Sequence, residues 1–361
     1  MKKTNSNSSD GVHINGKPAW WLSMPRTGKL FTVADYGIAL VAGILALVLY
    51  LKTLGPTITG EDSGEFITAA YTLGIPHPPG YPLYCMIGHL FTWLPWGEVA
   101  WRVNLMSAYF GSGAVFIAAL ITLYLTRNRA ASFLAALALG SSREFWAQSL
   151  VADAYSMNAF FFALCILLLM AWKDTRKKRF LHVFAFLFGM GSTVHYTFFL
   201  LAPVFASWVF FVNLFYQENL AQENILKPKD YFIFCVIAFA GLFPILYLPI
   251  RSLADPPVDW GNPETLGNLF DVLRRKQFVF MYHQYPRSLE RFLGQMSVYG
   301  RFWLGEFQVW GSLLGLAGLL LLLRRSRAHA LLLMLSGLVV VIGFIDRKST
   351  RLNSSHRLLS R

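Results

Sequence analysis

Glu61, Asp62 and Glu65 sit within five positions of one another in Thr59-Gly-Glu-Asp-Ser-Gly-Glu65. A histidine, His77, follows in Tyr71-Thr-Leu-Gly-Ile-Pro-His-Pro-Pro-Gly-Tyr-Pro82. Only 14% of the chain is charged, so this concentration of ionisable groups singles the segment out. Two uses fit it. Asp62 or Ser63 as N-cap with Glu65 in the first turn is a sound helix-capping pattern. A carboxylate raised in pKa by burial and by acidic neighbours is equally suited to act as a general base on a hydroxyl. Metal binding is a third use of such oxygens, but the acid–base chemistry needs no metal.

Other polar residues stand out against the apolar background. Arg102 with Asn104 falls at the end of an apolar run; an arginine there either snorkels to the interface or binds a lipid phosphate. Asp153-Ala-Tyr-Ser-Met-Asn158 begins another run, so Asp153, Tyr155 and Asn158 serve either as caps or as substrate contacts. His195 in Gly191-Ser-Thr-Val-His-Tyr196 is either a packed histidine or a contact to phosphate or sugar. Arg251 opens a polar insertion and is a third cation for an anionic group. Trp260, Tyr282 and Trp303 suit an interfacial belt, and Gly311, Gly315 and Gly318 suit helix packing. Cys85, Cys165 and Cys235 form no CxxC, so neither a structural disulfide nor a zinc site is expected. No P-loop, HExxH, GxSxG or GxGxxG stands in a convincing context.

These residues are carried by a strongly apolar chain of 361 residues, 55% hydrophobic and 16% aromatic. Its apolar runs are unbroken and roughly 17 to 25 residues long, the length of a bilayer-crossing helix. Alternation of the barrel kind is absent, so the expected fold is all-α and polytopic. The spans read as Tyr36–Leu54, Val103–Leu125, a return from Ala130, a run to Trp172, Phe180–Gly191, Phe198–Phe215, Tyr231–Ile250, Val309–Leu323 and His329–Ile345. That gives about nine. Between the first two, Ser63–Leu73 and Leu83–Leu94 read as short juxtamembrane helices, because Phe66, Ala69, Ala70 and Leu73 keep helical spacing and neither is long enough to span. Residues 251–306 form the longest polar insertion, opening on turn residues through Pro263 and continuing in a helical stretch rich in arginine and aromatics.

The net charge of +13 follows the loops. Lys173-Asp-Thr-Arg-Lys-Lys-Arg179 and Arg324-Arg-Ser-Arg327 mark cytoplasmic turns. Basic residues lie between spans and not along one face, so no nucleic-acid partner is expected. Residues 1–35 read as a polar cytoplasmic tail and 36–345 as the membrane domain. Residues 346–361 break character and resemble translated sequencing-adapter read-through, so the chain is expected to be truncated there. With the amino terminus inside, the acidic loop, Asp153–Asn158, His195 and the 251–263 loop all face the non-cytoplasmic side. Ionisable groups gathered at one membrane face are candidates for a site.

Asp62-Ser-Gly-Glu65-Phe, Ala70-Tyr-Thr-Leu-Gly-Ile-Pro-His-Pro-Pro-Gly-Tyr-Pro-Leu-Tyr84, Arg102-Val-Asn104, Asp153-Ala-Tyr-Ser-Met-Asn158 and Tyr247-Leu-Pro-Ile-Arg251 together resemble a family of multi-span membrane proteins, long catalogued in bacteria as a domain of unknown function. That family includes the animal transmembrane O-mannosyltransferase acting on plexin-type (IPT) domains. The resemblance runs in order from about residue 36 to 345 and is most specific in the first two segments; at Asp153 the family pattern carries Glu. It implies a GT-C-type inverting glycosyltransferase that moves a sugar, commonly mannose, from a polyprenyl phosphate to a hydroxyl of a protein or glycan acceptor. It implies no further cofactor, and a site on the outer face of a bacterial inner membrane. It assigns the base to Asp62 with Glu65 or Glu61 assisting, and leaves His77, Arg102, Asn104, Asp153, Tyr155, Asn158, His195 and Arg251 to bind donor and acceptor. A lipid-linked-sugar transporter and a non-catalytic envelope subunit use the same polar residues in other ways.

Overall fold

Thr32 and Asp35 start the first long helix. Asp35 donates its backbone N–H to Thr32 Oγ1 while the Thr32 N–H donates to Asp35 Oδ2, a reciprocal capping box. The helix they open is α1 (Val33–Thr53). The computed structural model describes residues 13–14, 17–18, 30–60, 62–215, 225–279 and 288–341. Glu61 and Tyr282, the terminal segment 346–361 and most of 1–35 lie outside the described residues.

The described residues are helical nearly throughout. Among the described residues, six helical segments are long and apolar enough to cross a membrane: α1, α4 (Val99–Thr126), α7 (Tyr155–Thr175), α9 (Thr197–Phe215), Pro228–Ser252 and Phe292–Arg325. Three shorter apolar helices, α5 (Arg129–Gly140), α8 (Arg179–Val194) and Arg327–Val341, fall where further spans are expected. Helix length by itself therefore supports six crossings. The two short helices of the acidic loop form where their spacing places them, α2 (Ser63–Thr72) and α3 (Pro82–Thr92). Pairing between strands is confined, among the described residues, to His13–Ile14 with Lys17–Pro18 and a single bridge between Ile75 and Asp259.

Two elements differ from expectation. The run Tyr231–Ile250 is not one helix: α10 (Pro228–Gly241) ends, a 3-10 turn Phe243–Leu246 intervenes, and α11 (Tyr247–Ser252) resumes. Pro244 has no N–H to continue the ladder. Gly241 also packs so close to α8 that a Cβ there would lie 2.2 Å from the Phe186 carbonyl oxygen. The helical stretch expected in the polar insertion, in turn, does not end with it: the helix Leu289–Arg325 runs across the expected boundary and breaks at Gln308 (φ 55°, ψ 179°). The expected span start at Val309 is the residue after that break.

The core is built on α4. Helices α1, α5 and α7 pack along it, and α2 and α3 pack against its first half, with Gly88 of α3 beside Met106 and Phe91 beside Tyr109. Short α6 (Arg143–Gln148) leads into α7, which packs on α4. Near the start of both, Ser107 Oγ donates to the Asp153 carbonyl (3.5 Å); near their ends, Tyr124 Oη donates to Asp174 Oδ2 (2.6 Å). The two helices therefore run parallel and carry a polar layer at each end. The far layer is a buried ionic cluster: Lys173 Nζ lies 2.9 Å from Asp174 Oδ1 and His329 Nε2 lies 3.9 Å from Asp174 Oδ2. The near layer is the acidic loop.

Candidate active site

The loop Gly55–Pro82 is folded by local constraints. Ser63 Oγ donates to the Thr59 carbonyl (2.7 Å) and accepts from the Thr59 N–H (3.0 Å), closing the turn into α2. Asp62 occupies the N-cap position, yet its side chain makes no capping hydrogen bond. At the far end Leu73 takes the left-handed conformation (φ 52°) and Gly74 N–H returns to the Ala69 carbonyl. The strand bridge follows: Ile75 N–H donates to Val258 O (2.6 Å) and Trp260 N–H to Ile75 O (3.0 Å). The Pro78–Pro79 bond is cis, and Gly80 turns the chain at φ +87°. A Cβ at Gly80 would meet Leu248 Cδ2 at 2.7 Å, so only glycine fits the approach to α11. Pro82 opens α3 at its first turn.

These turns lay His77 against Glu65. The His77 backbone N–H donates to Glu65 Oε1 (2.8 Å) and its Nδ1 lies 2.7 Å from Glu65 Oε2. A carboxylate only accepts, so Nδ1 carries the proton. In the neutral ring Nε2 is then an acceptor, with Tyr81 Oη 3.1 Å away as its donor. Burial pushes the Tyr81 phenol well above its ordinary pKa, against the pull of the Arg275 cation, so the hydroxyl keeps its proton. Asp62 Oδ2 lies 4.0 Å from the same Nε2. Asp62, Glu65 and His77 thus form one group in which Glu65 is committed to His77, and Asp62 is the more exposed of the two carboxylates by a small margin, 24% against 22%.

Aromatic rings surround the group. Phe66 packs edge-on against Tyr81 and Tyr84, each at 4.8 Å between centroids, and against His77 at 5.7 Å. Tyr81 leads to His195 (6.0 Å), and His195 to Tyr155 (5.7 Å) and Tyr196 (4.4 Å). His195 Nδ1 lies 2.9 Å from Thr197 Oγ1 and 3.3 Å from the Thr197 backbone nitrogen, which holds the ring at the start of α9. Asn158 Oδ1 lies 3.5 Å from Thr197 Oγ1 and ties α7 to this corner. His195, Tyr155 and Asn158 therefore join the acidic group on one side of the fold.

The remaining candidates sit nearby and are occupied with backbone. Arg102 donates through Nη1 to the Thr92 carbonyl (2.6 Å), through Nε to Trp96 O (3.0 Å) and through Nη2 to Gly97 O (2.8 Å), capping α3. Asn104, with no exposed surface, donates to Gly55 O (2.8 Å) and Thr57 O (3.1 Å) and accepts from Ala152 N–H (2.8 Å). It stitches the acidic loop to the loop before α7. Asp153 is buried; its Oδ1 accepts from Ala154 N–H (2.6 Å). Arg251 donates to Leu73 O (2.9 Å) and Thr72 O (3.3 Å), placing a cation on the carbonyl end of α2.

Several residues at this site give no functional signal in the sequence. Tyr81 and Phe66 lie inside the motifs quoted above but carry no charge to attract notice. Arg275 and Phe278 lie in the polar insertion, where Arg274-Arg275-Lys276 reads as an ordinary basic run. Only the fold brings Arg275 over Tyr196, its guanidinium carbon 4.3 Å from the ring centroid.

Known proteins resemble the chain over this region. A family model described as the protein O-mannosyl-transferase TMEM260 N-terminal domain matches residues 62–219. The mouse protein O-mannosyl-transferase TMEM260 is 31% identical over 276 residues, covering 74% of this chain and 37% of that protein. A Dictyostelium discoideum protein O-mannosyl-transferase of the same name is 26% identical over 343 residues, covering 90% of this chain and 41% of that protein. The chain thus spans roughly two fifths of the length of these curated relatives.

Proposed function

From the relation of this chain to the protein O-mannosyl-transferase TMEM260 family, we propose that it carries the catalytic end of a membrane glycosyltransferase. The donor is a polyprenyl-phosphate sugar, mannose by analogy with the relatives' name, and the acceptor is a hydroxyl, that of a protein serine or threonine. Transfer takes place at the membrane face bearing the acidic loop, which we assign to the non-cytoplasmic side of a bacterial inner membrane. The enzyme is of the GT-C type and inverts the anomeric centre.

The observation that carries the reading is the placement of two carboxylates about one histidine. Glu65 spends both oxygens on His77, and Asp62, at the N-terminus of α2, lies 4.0 Å from His77 Nε2 on the other side of the ring. Asp62 takes the proton of the acceptor hydroxyl. The oxygen attacks the anomeric carbon, a C–O bond forms there, and the C–O bond to the phosphate breaks from the opposite face. The phosphate leaves with the bonding pair as a stable anion, so no general acid is required. The N-terminus of α2 contributes partial positive charge beside the developing negative charge. Glu65, His77 and Tyr81 hold the loop in register and are positioning residues in this scheme.

Transfer of radiolabelled sugar from polyprenyl-phosphate mannose tests the reading, with wild type and Asp62→Asn compared in the full-length protein. Label moved by wild type alone, into protein, supports it. Equal transfer by the variant removes Asp62 as base. Lipid-sugar binding by a correctly inserted wild type with no transfer points to a transporter.

A further inference from the structure

The donor proposed above is an anion, yet two arginines near the acidic group, Arg102 and Arg251, donate to backbone carbonyls. Arg275 is placed differently. Arg275 projects from the 251–279 segment between two rings, its guanidinium carbon 4.3 Å from the Tyr196 centroid and 4.9 Å from the Phe278 centroid. Phe278 in turn meets His77 edge-on at 6.3 Å, and Tyr196 lies against His195. Arg275 is thus one ring away from the Glu65–His77 pair and close enough to act electrostatically on the Tyr81 phenol.

Three observations point to a ligand. The neighbours Arg274 and Lys276 are both paired to Asp271, while Arg275 has no carboxylate partner among the described residues. Arg275 Nε is buried with no hydrogen-bond acceptor among the described residues, an orphan donor that a native site ordinarily satisfies. Rings against a guanidinium take up its faces and leave its edge to donate in plane, the geometry that recognises phosphate. The backbone supports the placement: Arg275 is held at φ 60°, unfavourable for any residue with a Cβ. It is fixed by its own N–H to Val272 O (3.0 Å) and by Phe278 N–H to its carbonyl (3.0 Å).

We propose that Arg275 is the anchor for the phosphate of the lipid-linked donor, a role that rests on the glycosyltransferase reading above. Its edge donates to the non-bridging oxygens while the sugar is presented toward Asp62. The same charge stabilises the phosphate as it leaves.

The test uses the full-length protein in phosphatidylcholine nanodiscs. Its probes are a polyprenyl phosphate without sugar and the uncharged polyprenol of equal length. Arg275→Gln is expected to weaken polyprenyl-phosphate binding about ten- to a hundredfold, the loss of a charge-assisted hydrogen bond. Polyprenol binding should not change, and Arg275→Lys should fall between. In transfer assays the donor KM should rise more than kcat falls. Wild-type phosphate binding that both variants retain in full overturns the anchor and leaves the glycosyltransferase reading standing. Absence of any phosphate-dependent binding by wild type overturns the donor assignment and the anchor with it. Displacement of the probe by equimolar phosphatidylglycerol assigns Arg275 to bulk headgroups and overturns its role toward the donor.

Discussion

Both carboxylate oxygens of Glu65 are held by His77, one through the backbone N–H at 2.8 Å and one through Nδ1 at 2.7 Å. The pair closes a loop of 12 residues and fixes which histidine nitrogen carries the proton. Glu65→Gln keeps an oxygen for the backbone N–H but turns an amide toward Nδ1. Either the histidine tautomer inverts or a donor meets a donor. We expect Glu65→Gln to cost about 2 kcal/mol in stability, the scale of a hydrogen bond to a charged group. Nitrogen-15 shifts of His77 report the tautomer directly. An unchanged tautomer with an unchanged melting temperature would mean that Glu65 does not orient the ring.

Asp62 stands at the start of α2. An N-cap aspartate replaced by alanine ordinarily costs about 0.5–2 kcal/mol through its cap bond. The Asp62 side chain makes no cap bond, so Asp62→Ala should not lose that capping contribution, while transfer falls by two or more orders of magnitude, the scale of general-base loss. Calorimetry beside the transfer assay separates the two effects. A large loss of stability would return Asp62 to a capping role.

Much of this arrangement is legible in the amino-acid sequence. The spacing of Phe66, Ala69, Ala70 and Leu73 places α2 nearly to the residue, and α3 is equally plain, because proline and glycine bound both. The long apolar helices follow from hydropathy. What hydropathy does not show is interruption within an apolar run: Pro244 and the close approach of Gly241 to α8 break a stretch whose composition stays apolar. Residue type also fails to separate roles among arginines. Arg102, Arg251 and Arg275 are chemically alike, and only hydrogen-bond partners distinguish two that hold carbonyls from one stacked between rings. Asn104 shows the same limit: placed at the site by sequence, it reaches two loops through backbone groups that leave no trace in a motif.

Arg251 provides a control for the Arg275 proposal. Its guanidinium satisfies the Thr72 and Leu73 carbonyls at the end of α2. Arg251→Ala removes these bonds and should destabilise the protein by about 2 kcal/mol. Transfer should fall through loss of loop order, with donor affinity unchanged in the molecules that remain folded. A selective rise in donor KM at unaltered stability would instead give Arg251 a direct part in binding.

Gly80 tests whether the loop must lie against α11 for the site to exist. Its φ of +87° disfavours a side chain, at about 1–2 kcal/mol for a left-handed residue. A new Cβ would also meet Leu248 Cδ2 at 2.7 Å. Gly80→Ala therefore carries two separable penalties, one in its own backbone and one against Leu248. Leu248→Ala relieves the second but opens a cavity where Leu248 is fully buried. The double variant should accordingly be more stable than the two single losses added together, a coupling of about 1 kcal/mol measurable in a double-mutant cycle. Additive losses would show that the loop yields elsewhere, and then His77 is not held in place by this contact.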